Sequence, residues 1–193
     1  MHRQPAKVLE PDDVRLLLAR VATQRHPKRN RVLVLLSFKA GLRACEMAGL
    51  TWPMVLTSSG EVGDKITMPP GVAKRGKPRT IPLHKKLRTS LTKLHGAVGR
   101  PSSGPVIRSE RNAHMTPRSI VNWFRGIYGE LGLVGCSSHS GRRTFITTSA
   151  RVLARTGGSL RDIQELAGHS ALTTTERYIQ GSRDAQRRLI SLL

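Results

Sequence analysis

The sequence predicts a mainly α-helical fold with one small antiparallel β-sheet, an α+β domain. Apolar residues recur at helical spacing through most of the chain, as in the segment 14–21. The extended candidates are few and short, at 65–68, 79–83 and 106–107. A turn rich in proline, glycine and cations separates the first two of them, and its tip is Arg75-Gly76-Lys77. We therefore expect a hairpin within a helical domain.

The first half of the chain predicts four helices around this hairpin. Pro11 suits a first helical turn, and Asp12 and Asp13 complement the positive end of the helix dipole. The expected order is a helix from 11, a polar loop at 24–30, a second helix at 31–41, a short third helix at 42–51, the hairpin and a fourth helix at 84–98.

The second half of the chain predicts four further helices. Thr116 is expected to cap a helix with Pro117 at its first position. Serines mark the next three starts, and Gly157 ends the first of these helices. The expected elements are a helix capped by Ser138, a helix at 160–167 capped by Ser159, a helix at 171–179 capped by Ser170, and a basic amphipathic tail at 184–193.

The charge balance indicates a polyanionic partner. Lys and Arg number 33 and Asp and Glu number 12, a net charge of +21 spread through every segment. The alternatives are a merely solvated surface, which we rank lower, and a membrane surface. We exclude the membrane because no stretch resembles an interfacial helix, and the apolar run 32–36 is too short to span a bilayer.

The cysteine content and the N-terminus predict an intracellular protein. Cys45 and Cys136 are too few for a disulfide framework or a four-cysteine zinc site, and suit a reducing compartment. Residues 1–13 are polar and charged, so they do not form a signal peptide. We expect a cytoplasmic, nucleoid-associated location.

The candidate catalytic residues cluster in the last part of the chain. His139 and Arg142 are three residues apart, which places both on one face of a helix, and arginine binds two phosphate oxygens at once. His169 stands just before a helix that carries Tyr178. Taken singly, each has a plainer explanation: an exposed basic helix face, or a half-buried aromatic. Together they predict a site that holds and attacks a phosphate.

Four segments resemble the tyrosine recombinases, the phage integrase family. Residues 41–52, GLRACEMAGLTW, resemble the first conserved box of that family. Residues 139–145, HSGRRTF, and 166–178, from LAGH to the tyrosine, resemble its second box. Lys74, in KRGKPRTIPL, is similar to the lysine of the family hairpin. The segments occur in the family's order, and the resemblance runs from about Leu9 to Tyr178 and implies the tyrosine recombinase catalytic-domain fold.

The resemblance implies a role for each of six residues and for one supporting carboxylate. The implied roles are phosphate binding by Arg43 and Arg142, protonation of the leaving 5′ oxygen by Lys74, assistance of proton transfer at the nucleophile by His139, transition-state stabilisation by His169, nucleophilic attack by Tyr178, and orientation of an active-site group by Glu46. These roles are chemically sensible, because a phenol needs help to lose its proton and the transition state accumulates negative charge. Gly141 departs from the family, which more often has leucine there.

The resemblance also implies DNA as the partner and no metal or other cofactor. The sequence has no carboxylate cluster of the kind that two-metal nucleases use. Further DNA contacts are expected from the hairpin and from two helices, through cationic side chains and one amide: Arg75, Lys77, Arg79, Arg118, Asn122, Arg125 and Arg143.

We expect a single catalytic domain over 1–193 without a separate N-terminal core-binding domain, either as a short family member or as a chain cut from a longer protein. The tail at 184–193 is expected to dock on a neighbouring protomer, with dimers or tetramers forming on paired recombination sites. The implied function is site-specific recombination of double-stranded DNA through a 3′-phosphotyrosyl intermediate. The alternatives are a catalytically silent DNA-binding accessory or regulatory protein and, less favoured, a type IB topoisomerase-like activity.

Overall fold

The computed structural model describes residues 5–73, 78–110, 113–176 and 190–191. Its elements are α1 (Pro11–Ala22), α2 (Pro27–Lys39), α3 (Ala44–Ala48), a 3-10 turn (Trp52–Met54), β1 (Lys65–Met68), β2 (Arg79–Pro82), α4 (Lys85–Ala97), α5 (Pro117–Glu130), α6 (Ser140–Val152), a second 3-10 turn (Leu153–Arg155), α7 (Leu160–Ala167) and α8 (Leu172–Glu176). The predicted class, mainly helical with a small sheet, is confirmed. Across the described ranges, no helix has the length and apolarity needed to cross a bilayer.

Helix α2 is the central element of the core. Its residues 32–38 are buried on every side, and α1, α4 and α6 pack around it. A helix that is buried on every side must be enclosed by other elements, and α1, α4 and α6 enclose α2.

The start of α2 corrects the prediction of a polar loop at 24–30. The helix begins at Pro27, because proline occupies a first helical position without the loss of a hydrogen bond. Asn30 is also buried in this first turn, and its side-chain amide donates to Gln24 Oε1 over 2.7 Å. The polarity of this turn therefore serves local hydrogen bonds and does not indicate a loop.

The hairpin is confirmed in its two strands. β1 and β2 are antiparallel, with Ile66 opposite Ile81 and Met68 opposite Arg79. Ile66 and Ile81 are buried, so one face of the hairpin belongs to the core. The turn residues 74–77 lie outside the described residues. The extended candidate at 106–107 forms no strand; isolated bridges join Thr51 to Pro105 and Arg108 to His114 on either side of it.

The helix starts in the second half were predicted with mixed success. Thr116 caps α5 by accepting a hydrogen bond from Ser119 N over 3.1 Å, and Ser159 precedes α7 as expected. Helix α6 begins one residue later than predicted, at Ser140, with His139 in place of Ser138 at the cap position. The described part of α8 is Leu172–Glu176, and most of the predicted tail lies outside the described residues.

Gly141 is required by the packing of α6 on α2. A Cβ atom at this position would lie 2.8 Å from Ser37 Cβ and 2.9 Å from Phe38 Cδ2, closer than van der Waals contact allows. The leucine that the family more often has here would not fit. In this chain α2 itself occupies the space that a side chain at position 141 would fill.

We predict that Gly141→Ala destabilises the protein by about 1–3 kcal/mol, because overpacking forces α6 away from α2. The matched control is Gly126→Ala in α5, where a Cβ meets no atom within 4 Å. That control should raise stability by about 0.5–1 kcal/mol, because alanine favours helix over glycine. Urea unfolding measures both changes. Equal stabilities for the two variants would contradict the packing described here.

Candidate active site

The first part of the site is the turn that joins α2 to α3. Gly41 adopts a left-handed conformation, with φ of +63°, and a side chain there would collide with the Phe145 ring. The turn places Arg43 at the cap of α3 and Glu46 in its first turn. The Glu46 carboxylate accepts a hydrogen bond from Arg43 N over 2.9 Å and another from Arg43 Nη1 over 3.0 Å. Glu46 thus caps the helix and orients the Arg43 guanidinium.

The same carboxylate binds a second arginine from the hairpin. Glu46 is fully buried, and Arg79 donates to it twice, from Nη1 to Oε1 over 3.0 Å and from Nη2 to Oε2 over 2.9 Å. Arg79 Nε donates to the carbonyl oxygen of Leu166 in α7 over 3.1 Å. We expected Arg79 among the cations that face DNA, but its side chain is 7% exposed and these intramolecular contacts engage it. It joins α3, β2 and α7.

Glu46 is ionised despite its burial. Removal from water alone would raise the pKa of this carboxyl. The two hydrogen bonds and the charge of Arg79, together with Arg43, outweigh that effect and hold the pKa of Glu46 below its ordinary value. The site therefore contains one fixed negative charge between two guanidinium groups.

Arg142 occupies the centre of the site in a buried position on α6. Its Nη1 donates to the carbonyl oxygen of Gly41 and its Nη2 to that of Ala167, both over 2.6 Å. Because the guanidinium is planar, these two bonds fix its orientation. Arg142 thereby ties α6 to the turn before Arg43 and to the end of α7.

His169 follows the end of α7 at a left-handed glycine. Gly168 has a φ of +63°, and a Cβ there would lie 2.7 Å from Arg79 Nη1, so both the turn and the neighbouring arginine require glycine. His169 N donates to Gln164 O over 3.0 Å, which completes the helix end. The His169 ring is buried, and its Nδ1 lies 2.9 Å from Thr175 Oγ1 in α8.

The hydrogen bonds of Arg142 bring the cationic groups to His169, because they reach Gly41 and Ala167, which lie two residues before Arg43 and His169 respectively. Burial lowers the pKa of His169 to about 4, with further lowering by the positive charges of Arg142, Arg43 and Arg79 and a smaller opposing effect of Glu46. The imidazole is therefore neutral at pH 7. Arg43, Arg142 and His169, predicted from three separate segments of the chain, converge on one site whose guanidinium groups outnumber its carboxylate.

The other predicted catalytic residues are less completely described. His139 is exposed at the cap of α6, one helical turn before Arg142, and its peptide N–H donates to Ser137 Oγ over 3.2 Å. Lys74 and Tyr178 lie outside the described residues. The described part of α8 ends two residues before Tyr178.

The predicted DNA-contacting residues fall into three groups. Arg118, Asn122 and Arg125 are exposed, and their spacing puts them on one face of α5, which packs through its other face near α3. Arg143 is half-buried on α6. Arg75 and Lys77 lie outside the described residues. Contact of these residues with DNA stays a prediction.

The sequence did not predict the ion pair of Arg79 with Glu46 or the hydrogen bond of Thr175 with His169. Strand alternation offered a signal for Arg79, because it lies two residues before the buried Ile81 and so points to the same face of β2. Thr175 offered none, because it is the last of three consecutive threonines and only the fold distinguishes it.

We predict that Glu46→Gln destabilises the protein by about 3 kcal/mol or more at pH 7, because it leaves two buried guanidiniums without a counter-charge. The contribution of the carboxylate is fully present above the unfolded pKa of about 4.3 and is lost as the pH falls through the lower folded pKa. Urea unfolding at pH 7 and pH 3 should therefore show a penalty that shrinks in acid.

The matched control for Glu46→Gln is Glu61→Gln, which breaks the exposed ion pair of Glu61 with Arg100. Exposed pairs contribute about 1 kcal/mol or less, so this change should have little effect. Similar penalties for the two variants, or a Glu46→Gln penalty that does not depend on pH, would contradict the role given to Glu46.

Comparison with known proteins agrees with this geometry. The sequence matches the phage integrase family over residues 7–184. It is 33% identical to the tyrosine recombinase XerC of Bradyrhizobium diazoefficiens, over 78% of this chain and 45% of the relative, and 30% identical to the tyrosine recombinase XerA of Thermococcus kodakarensis, over 91% of this chain and 58% of the relative.

A solved structure of the Tn1549 transposon integrase, in complex with transposon right end DNA, has the same fold. The TM-score is 0.75 at 17% identity, over all of this chain and 67% of the integrase. The chain spans about half the length of the curated relatives it matches, 45% and 58% of the two XerC and XerA proteins named above. Because the family match covers most of its length, the chain belongs to the phage integrase family of tyrosine recombinases.

Proposed function

We propose that this chain is the catalytic part of a site-specific DNA recombinase that cuts and rejoins strands through a 3′-phosphotyrosyl intermediate. The observation that carries the proposal is the convergence of Arg43, Arg142 and His169 on one buried, cationic site. Packing alone would not bring these side chains together, because the two guanidinium groups repel each other. A bound phosphodiester would offset that repulsion.

The site is suited to stabilise charge that develops on a phosphate. Attack on a phosphodiester places negative charge on its non-bridging oxygens, and fixed donors in a water-poor site stabilise that charge strongly. Arg142 is held by two carbonyl oxygens and Arg43 by Glu46, so neither guanidinium needs to reorganise when the phosphate arrives. His169 is neutral and contributes as a hydrogen-bond donor.

The family resemblance implies the roles of the remaining residues in the cleavage reaction. The phenolic oxygen of Tyr178 attacks phosphorus, the bond from phosphorus to the 5′ oxygen breaks, and the 3′ phosphate becomes a phosphotyrosyl ester. The phenol proton passes toward His139, and the leaving 5′ oxygen takes a proton from Lys74. Attack by the 5′ hydroxyl of a second strand reverses these transfers and releases the tyrosine.

The proposed substrate is double-stranded DNA, recognised largely through its phosphates. The net charge of +21 and the exposed Arg118, Asn122 and Arg125 on α5 support this. We also propose that protomers assemble as dimers or tetramers on paired sites, with the tail at 184–193 docked on a neighbour, because multiple linked contacts offset weak binding by one protomer. A nucleoid-associated location would follow from this function.

The central test of the function is covalent capture of DNA. Nicked suicide duplexes, tiled across the DNA that flanks the gene, are incubated with the protein and resolved on denaturing gels. Wild type should form an adduct and Tyr178→Phe should form none, because the nucleophile is lost. The matched control is Tyr128→Phe, which changes the other tyrosine of the chain, buried in the core. It should keep the adduct.

An adduct from Tyr178→Phe would refute the assignment of the nucleophile. No adduct from wild type on any duplex that it binds would favour the silent accessory protein. Relaxation of supercoiled plasmid without a specific site would favour the topoisomerase alternative.

A second prediction concerns the exposed face of α5. Arg118→Ala and Arg125→Ala should each weaken DNA binding and reduce the slope of log affinity against log salt by about 1, because each removes one phosphate contact. Arg15→Ala on α1 is the control, since Asp12 already pairs with that guanidinium. Fluorescence anisotropy over a salt series measures the slopes. Unchanged slopes for both α5 variants would place the DNA on another face.

A further inference from the structure

The bond between His169 and Thr175 raises the question of which atom carries the proton. His169 Nδ1 and Thr175 Oγ1 are 2.9 Å apart, and both residues are buried. A neutral imidazole has its proton on one nitrogen only, and a hydroxyl can donate or accept. The direction of this one hydrogen bond therefore fixes which nitrogen of His169 can donate to a ligand.

The surroundings of Thr175 decide the direction. Within the described ranges, the Thr175 hydroxyl has no hydrogen-bond partner besides His169 Nδ1. A buried hydroxyl proton that points at no acceptor costs about 1–3 kcal/mol, so the proton is directed at Nδ1. Nδ1 then acts as the acceptor and carries no proton of its own, and the imidazole proton stands on Nε2.

Because of the charged groups around His169, the ring nitrogen that carries the single proton determines whether His169 can act as a donor. Arg43, Arg79 and Arg142 disfavour a second proton on the ring, and the Glu46 carboxylate is saturated by two of these arginines. Gln164 faces the His169 backbone, to which its side-chain amide donates over 3.2 Å. His169 therefore cannot donate simply by becoming doubly protonated, and its tautomer determines whether it can stabilise an anion.

We propose that Thr175 is a positioning residue that holds His169 in the Nε2–H tautomer, so that His169 donates a hydrogen bond to the phosphate under attack. The donor role rests on the proposed function, whereas the tautomer is a property of the protein alone. Thr175 lies three residues before Tyr178, so the same bond ties the helix that leads to the nucleophile to the histidine that faces the phosphate.

The tautomer is measured directly by nitrogen-15 NMR of histidine-labelled protein at pH 7, with the His169 signals assigned from a His169→Gln spectrum. Wild type should show a protonated Nε2 and an unprotonated Nδ1. Thr175→Val removes the hydroxyl at nearly constant volume and should give a mixture of both tautomers. Thr175→Ser restores the hydroxyl and should restore the single tautomer. Thr173→Val, exposed on the same helix, is the matched control and should resemble wild type.

The kinetic readout is the rate of covalent adduct formation on a nicked duplex that wild type cleaves. Thr175→Val should slow the rate by about tenfold or more without a change in DNA affinity, because a transition-state donor is partly lost. Thr175→Ser should recover most of the rate, and Thr173→Val should retain it. A purely structural role would reduce affinity and folded fraction together and would leave the tautomer unchanged.

Two results would overturn the proposal: a proton on Nδ1 of His169 in wild type, or an unchanged Nε2–H tautomer in folded Thr175→Val. If Thr175→Val does not fold, the wild-type and Thr175→Ser spectra still decide the direction of the bond. Absence of any adduct from wild type would count against the proposed function and not against the tautomer, because the spectra need no DNA.

Discussion

The site depends on one buried carboxylate. Glu46 is fully buried in a protein with few acidic residues, and two guanidiniums, from Arg43 and Arg79, saturate it. A buried ion without partners costs several kcal/mol, so Glu46 and the two arginines must stay together for the fold to be stable. Because Arg79 begins the second strand of the hairpin and also binds the end of α7, this requirement fixes three elements relative to one another. The geometry of the site is therefore enforced by folding energetics and exists before any ligand binds.

Arg142 extends the same arrangement to α6. Its two hydrogen bonds go to backbone carbonyls that stand just before Arg43 and just before His169 along the chain, so a single side chain sets the distance between them. Close packing around the site also requires residues without a Cβ atom, because a Cβ at Gly41, Gly141 or Gly168 would collide with the side chains of neighbouring elements. The excess of positive charge is the functional consequence. Burial, together with this charge, lowers the pKa of His169 to about 4 and keeps the imidazole neutral, and the charge makes an anion the natural ligand.

The sequence predicted the local features well and the tertiary ones poorly. Caps such as Thr116 and Ser159, and the pairing of the hairpin strands, depend on residues near in sequence, and these were correct. The resemblance to the family identified Arg43, Arg142 and His169, which the fold brings together. The start of α2 was misplaced because Pro27 can begin a helix as well as break one. Arg79 was assigned to the DNA surface because its charge suggested exposure, whereas its partner, Glu46, is 33 residues away in the sequence. Strand alternation could indicate that Arg79 faces the protein interior, but no periodicity identifies a partner so far away in the sequence.

A crystal structure of the Tyr178→Phe protein bound to a duplex that wild type cleaves tests the site most directly. We predict that one backbone phosphate lies within hydrogen-bond distance of the Arg43 and Arg142 guanidiniums and of His169 Nε2, with Glu46 still bound to Arg79. A structure in which the DNA contacts only exposed cations, such as those of α5, and no phosphate reaches Arg142 and His169, would contradict it.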